Sequence, residues 1–119
     1  MNPYEIPAML EDELPAIVPS LKEHAPDGNA TQIIKVLTHY TRSLLSLHDL
    51  PAVVKCMQVA DKIYEKGNQV VRNAVENVFV YSFSGLQCAC NRLEWKQIQS
   101  KIPVTLYSAY VRQIYRSGL

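Results

Sequence analysis

Apolar side chains recur at steps of three or four residues through most of this chain, and that spacing restricts it to helices. The clearest example follows Asn29, whose side chain can cap the first turn of a helix. Because a helix turns once every 3.6 residues, the positions that follow Asn29 share one side of the predicted helix. They are Ile33, Leu37, Tyr40, Leu44 and Leu47.

Proline, glycine and asparagine divide the pattern into short segments. Two short helices are predicted within the first 27 residues, and Pro15 and Pro19 break or restart the helix there, since an interior proline loses a hydrogen bond. Pro51 opens the second long helix, and Gly67 is predicted to end it in the left-handed conformation. Further helices are predicted in the remainder of the chain. They begin after Asn68, after Asn91 and at Pro103, and Gly85 is predicted to end the first of them.

The third long segment contains a run of strand-forming residues, 78–83, that competes with the helical interpretation. The Asn cap, the glycine and the longer periodicity favour a helix there. The sequence therefore predicts an all-α fold: a compact array of five to seven antiparallel helices in one domain over residues 1–119. Either a bundle or a short stack of helical hairpins fits the short connections. The residues predicted to be fully buried are Leu37, Leu44, Met57, Val71 and Val78, and Tyr81 and Val104 are predicted to face inward as well.

Composition narrows the class of protein. Hydrophobic residues make up 48% of the sequence and charged residues 19%, enough apolar surface for a core. No apolar run approaches the roughly 18 residues of a membrane span, and the first residues do not resemble a secretory signal. The number of cysteines is odd, at three, which argues against a framework of disulfide bonds. We expect a cytoplasmic protein that does not insert into a membrane.

The net charge of +1 conceals an uneven distribution. Residues 1–27 form an acidic, proline-punctuated arm with six acidic side chains and one lysine, whereas residues 28–119 form a basic helical body with eleven basic and five acidic side chains. Such an arm can dock on the body of its own molecule, or the two parts can face different partners.

Few residues suggest catalysis or metal binding. Cys88 and Cys90 are one residue apart, but a zinc site usually needs a second pair of ligands, so no metal and no cofactor are predicted. The sequence has no nucleophile-elbow motif, no phosphate-binding loop motif and no dinucleotide-binding motif. A dispersed catalytic site around His39 and Arg42 is the enzymatic alternative, because spacing rules do not reveal such sites.

The strongest candidate for binding is the basic C-terminal segment, residues 92–119, in which Glu94 is the only acid. Tyrosines and Trp95 lie between its basic residues, a composition found where proteins bind acidic protein surfaces or single-stranded nucleic acid. A solvated helix face is the simpler alternative. The predicted partner-binding residues are Lys96, Lys101, Arg112, Tyr115 and Arg116.

Three stretches resemble a family of short, uncharacterised bacterial all-helical proteins. They are Glu-Ile-Pro-Ala-Met-Leu-Glu-Asp-Glu-Leu-Pro at residues 5–15, Leu-Thr-His-Tyr-Thr-Arg at residues 37–42, and residues 64–75. The resemblance implies a helical domain of unknown function and supplies no functional residue. The chain departs from the family at residues 82–85, where an acidic end is expected, and at the Cys88–Cys90 segment. Some small bacterial helical proteins neutralise toxins encoded beside them, and the resemblance allows that role only by analogy of fold.

The sequence thus favours a non-enzymatic protein-interaction module that binds another protein or its own copy. The alternative is a protein that associates with nucleic acid through the basic C-terminal helices, which the near-zero net charge makes less favourable. A small enzyme is the third hypothesis.

Overall fold

Helix α3 (Ala30–Ser46) runs through the centre of the computed structural model, which describes residues 1–116. Helices α1 and α2 each begin with a 3-10 turn and continue as α-helix over Ile6–Glu13 and Val18–His24. Seven helices occur in the described residues: α1 (3–13), α2 (15–24), α3, α4 (Leu50–Lys66), α5 (69–88), α6 (Arg92–Gln99) and α7 (Val104–Arg116).

Helix accounts for 83% of the residues, and no strand occurs within residues 1–116, which confirms the all-α prediction. Residues 78–83 are helical rather than extended. Short connections make α3 and α4 antiparallel neighbours, and α1, α2 and α5 also pack on α3. Helix α6 packs on α4, and α7 packs on α5. None of the described helices combines the length and apolar character needed to span a bilayer.

Asparagine side chains begin three of the helices as predicted. The carboxamides of Asn29, Asn68 and Asn91 accept hydrogen bonds from the backbone N–H groups three residues ahead, at 3.2, 3.0 and 2.8 Å. Glu94 completes a capping box by accepting from the Asn91 N–H. These caps fix where α3, α5 and α6 begin.

The buried side of α3 is rotated from the predicted one. Leu37 is fully buried as predicted, but Leu44 is only half-buried and Leu47 is 75% exposed, so the prediction for Leu44 was wrong. Thr41 and Leu45 take the inner positions instead. The buried Leu37, Thr41 and Leu45 recur at steps of four residues, so they follow a different side of the helix from the predicted stripe. Thr41 tolerates burial because its hydroxyl donates to the Leu37 carbonyl at 2.8 Å.

Helix α5 contains a π-helical turn, Val75–Phe79, that the sequence did not reveal. Val71 is buried as predicted, but Val78 is only half-buried, so its predicted full burial was wrong. Tyr81 was wrongly predicted to face inward, since it is 74% exposed. A π turn holds one more residue than an α turn, and the apolar side therefore returns one residue later. The residues buried after the π turn begins are Val75, Phe79, Val80, Phe83 and Leu86.

The burial of side chains on α6 and α7 also differs from the prediction at single positions. Trp95 and Ile98 are buried on α6, whereas Leu93 is 66% exposed. On α7 the buried residues are Leu106 and Ala109, while Val104 is 81% exposed, so Val104 was wrongly predicted to face inward. Met57 of α4 is fully buried, as predicted.

The two central glycines have different roles from those predicted. Gly67 is extended, with φ −72° and ψ 146°, so it does not end α4 in the left-handed conformation. It is needed for space, because a Cβ there would lie 2.6 Å from Val71 Cγ1 and 2.7 Å from the Ile63 carbonyl oxygen. Gly85 does not end α5 but lies inside its last segment, Phe83–Cys88. A Cβ at Gly85 would meet only the end of the Arg42 side chain, at 2.8 Å.

These contacts predict opposite outcomes for two alanine substitutions. Gly67→Ala should lower the free energy of unfolding by about 1–3 kcal/mol, because backbone and a packed valine must shift. Gly85→Ala should leave stability unchanged or raise it by up to about 1 kcal/mol, because alanine favours helix and Arg42 can move aside. Urea denaturation of both variants measures the difference. Equal losses in the two variants would contradict this account.

Candidate functional site

The five predicted partner-binding residues do not form one cluster. Arg112 and Arg116 line a groove between α5 and α7. Lys96 lines a separate groove between α6 and α7, and Lys101 lines a third between α4 and α6. Tyr115 is 79% exposed beside Arg116 in sequence. The C-terminal basic segment is therefore divided among three surfaces, of which only one contains more than one of the predicted cations.

We call the first of these the arginine groove. It has a volume of about 400 Å³, and its lining residues are Glu76, Asn77, Tyr81, Ala109, Arg112, Gln113 and Arg116. Helix α7 contributes the arginines, one turn apart on the same side. Helix α5 contributes Glu76, Asn77 and Tyr81, which sequence analysis had not assigned to a site.

The π turn of α5 places those residues. Glu76 and Asn77 lie within the turn, and Tyr81 follows it in a 3-10 turn, Val80–Ser82. Because the wider turn keeps Phe79 and Val80 on the core, it leaves Tyr81 on the outer side. π turns are frequent at functional sites. Here the turn is the reason that an exposed tyrosine lines the same groove as two arginines.

A small polar network holds the floor of the groove in place. The Tyr64 hydroxyl donates to Glu76 Oε2 at 3.1 Å, and Gln113 Nε2 donates to the Glu76 carbonyl at 2.7 Å. Arg112 Nη2 lies 4.0 Å from the other carboxylate oxygen, Oε1. Arg72 covers the ring of Tyr64 at 4.3 Å from its centroid. Arg112 is thus loosely held, with 57% of its side chain exposed, and its guanidinium is available to a partner's carboxylate.

The aromatic residues of the C-terminal segment are mostly committed to the core. Trp95 is buried. Tyr107 and Tyr110 are half-buried, and their hydroxyls form hydrogen bonds of 2.9 Å with Gln99 and Ser84. The rings of Phe79, Phe83, Tyr110 and Tyr107 follow one another at centroid distances of 5.5–6.2 Å. Only Tyr115, of the four aromatic residues considered for base stacking, stays exposed.

The α4–α6 groove is larger than the arginine groove, at about 830 Å³, and has a mixed lining that includes Leu50, Val54 and Lys101. His48 lies at its end with φ 60°, and its Nδ1 is 2.7 Å from Glu94 Oε2. That hydrogen bond is the main cause of a lowered pKa of Glu94, and the hydrogen bond from the Asn91 backbone N–H is the second cause. The pair joins the α3–α4 turn to the first turn of α6, so its role is structural.

The residues of the enzymatic hypothesis are separated. His39 lines a groove of about 570 Å³ on the outer side of α3, together with His24 and Tyr40. Arg42 instead extends over Gly85 of α5. In the His39 groove, the Thr38 and Ser43 hydroxyls donate to carbonyls of their own helix at 2.8 and 3.0 Å. Within the described residues, neither hydroxyl is hydrogen-bonded to the imidazole ring of a histidine that could activate it.

The paired cysteines also differ from each other. Cys88 is exposed, whereas Cys90 is partly covered and its thiol lies 3.6 Å from the Leu86 carbonyl oxygen. Burial is the main cause of a raised pKa of Cys90, and the nearby charges of Glu94 and Cys88 raise it further, which favours the protonated thiol. Among residues 1–116, no three side chains of His, Cys, Asp or Glu are grouped as metal ligands.

Comparison with known proteins places this architecture in a family. The model of a domain of unknown function, DUF7674, matches residues 7–116. The chain belongs to DUF7674. No curated protein and no solved structure matches it significantly. The DUF7674 match covers α1 to α7, including both helices of the arginine groove, and it agrees with the resemblance to a family of uncharacterised helical proteins.

One carboxylate of the acidic arm of this DUF7674 domain forms ion pairs with the basic body. Glu13, the last residue of α1, accepts hydrogen bonds from Lys55 and Lys62 of α4, each at 2.8 Å. These two lysines lower the pKa of Glu13 to about 2. The other exposed acids of α1, Glu5 and Glu11 among them, form no ion pair within residues 1–116.

The Glu13 contact predicts how the stability of the DUF7674 domain depends on pH. Its carboxyl has a folded-state pKa below the ordinary value of 4.5, so its contribution is complete above pH 4.5 and is lost as the pH falls towards about 2. Glu13→Gln should lower the urea midpoint at neutral pH and reduce its fall in acid. Glu11→Gln, at an exposed position of α1 with no ion pair within residues 1–116, is the matched control. A Glu13→Gln profile parallel to that of the unchanged protein would refute the assignment.

Proposed function

We propose that this domain is a non-enzymatic protein-interaction module and that its arginine groove binds an acidic segment of a protein partner. The observation that supports the proposal is the combination of two exposed arginines with an exposed tyrosine along one preformed groove. Arginine and tyrosine are enriched at interfaces because they bury large areas and still form directed hydrogen bonds. The exposed Tyr115 extends this surface along α7.

The electrostatics of the groove favour carboxylates as the partner group. Arg112 and Arg116 are one turn apart, a spacing that lets two guanidinium groups meet two carboxylates of an acidic helix or strand. Glu76 is the one acid of the groove, and its Oε2 already accepts from Tyr64. The network around Glu76 therefore positions Arg112 without fully neutralising it.

Nucleic acid is a less suitable partner for this surface. Single-stranded binding needs several exposed aromatic platforms along a basic track, and Trp95, Tyr107 and Tyr110 are instead packed in the fold. The four predicted basic contact residues line three grooves rather than one. A role in neutralising a toxin is one form that a protein-interaction function would take, and the three free cysteines suit a reducing cytoplasm.

A peptide titration tests the proposed function. A short fluorescent peptide rich in Glu and Tyr should bind the unchanged protein at low salt, and Arg112→Glu with Arg116→Glu should weaken binding by about tenfold or more. Lys22→Glu with Lys35→Glu is the matched control, since it changes net charge equally on exposed positions outside the groove. A labelled single-stranded DNA should bind no more tightly than about micromolar near physiological salt.

Two outcomes would overturn the proposal. One is equal loss of peptide binding in the control variant, which would show that net charge alone attracts the peptide. The other is tight DNA binding that the arginine substitutions abolish, which would favour the nucleic-acid alternative.

A further inference from the structure

Helix α1 presents an exposed side that carries only negative charge. Its buried residues are Ile6 and Leu10, both with 0% exposure. On the opposite side Glu5, Glu11 and Asp12 are exposed, and Tyr4 is 82% exposed. The first basic residue of the chain is Lys22, so no cation of α1 balances these acids. We call Tyr4, Glu5, Ala8, Glu11 and Asp12 the acidic face.

The acidic face and the arginine groove belong to different parts of the molecule. Helix α1 packs on α2, α3 and α4, whereas the groove is lined by residues of α5 and α7. Glu13 of the same helix is ion-paired, since two lysines contact its carboxylate at 2.8 Å. Glu5, Glu11 and Asp12 have no such partner within residues 1–116.

We propose that the partner of the arginine groove is a second copy of this chain, whose acidic face docks there. This inference rests on the proposed function and names its partner. The carboxylates of Glu11 and Asp12 would meet Arg112 and Arg116, and the small exposed Ala8 would let the helix approach the groove closely. Because the net charge is only +1, two copies do not repel each other at long range, and the opposite charges of the two faces orient the encounter.

The geometry of the contact determines the assembly. The two faces differ, so the contact is heterologous: it closes into a pair only if each copy docks on the other, and otherwise it extends into chains of copies. In either case the interaction depends on exposed ion pairs and weakens as salt screens them over a distance of about 8 Å at physiological ionic strength.

Complementary charge reversal tests this inference. One variant carries Glu11→Lys with Asp12→Lys, and the other carries Arg112→Glu with Arg116→Glu. Each variant alone should self-associate about tenfold or more weakly than the unchanged protein in sedimentation experiments at low salt. An equimolar mixture of the two should regain association, because both contacts in the mixture again join opposite charges. Circular dichroism confirms that each variant is folded.

The controls separate this inference from the proposed function. Lys22→Glu with Lys35→Glu, which has the same net charge as the Arg112→Glu, Arg116→Glu variant, should self-associate as the unchanged protein does. An unchanged protein that stays monomeric at millimolar concentration and low salt, or a mixture that fails to regain association, would overturn the inference. If the acidic peptide still binds through Arg112 and Arg116 in that case, the proposed function stands and the partner is another acidic protein.

Discussion

Burial of one side of α3 is the constraint on which the other helices depend. Ile33, Ile34, Leu37 and Leu45 have no exposed surface, and each buried side chain of this size contributes about 1.5–3 kcal/mol relative to an exposed one. Thr41 lies among them without an unsatisfied hydroxyl because it donates to the preceding turn. Helices α1, α2, α4 and α5 all pack against α3, so the direction of its apolar side sets their positions.

Helix α5 has to satisfy two neighbours at once, and its π turn is the result. The turn Val75–Phe79 packs on α3, while the residues after it contact α7. A regular α-helix would carry Val78 to the inner side, because it stands three residues after the buried Val75. The π turn instead buries Phe79 and leaves Glu76, Asn77 and Tyr81 along the arginine groove. The candidate site is thus a consequence of how two apolar surfaces are reconciled within one helix.

The sequence predicted the elements of this fold well and their rotation less well. Asn29, Asn68 and Asn91 mark helix starts because capping is a local interaction between a side chain and the next turn. Leu44 was misplaced because periodicity favours apolar residues over Thr41, and a hydroxyl that hydrogen-bonds within its own helix leaves no signal in the spacing. Gly67 was assigned the common role of a helix-ending glycine, whereas close packing against Val71 requires it.

The candidate site likewise contains residues that the sequence predicts and residues that it does not. The exposed Arg112, Tyr115 and Arg116 could be predicted from the basic, aromatic composition of the last helix. Glu76 and Tyr81 could not, because they are distant in sequence and their exposure depends on the π turn. The run of apolar residues at 78–83, interrupted only by Ser82, was the available signal, since a regular amphipathic helix does not bury so many consecutive side chains on one side.

The central claim is that the surface between α5 and α7 is where this domain meets its partner. Nuclear magnetic resonance of the isotope-labelled protein, titrated with an acidic peptide, tests it most directly. The account predicts that the largest shifts arise at Asn77, Tyr81, Arg112 and Arg116. Shifts confined to Leu50, Val54 and Ile98 of the α4–α6 groove, or distributed evenly over all exposed cations, would contradict it.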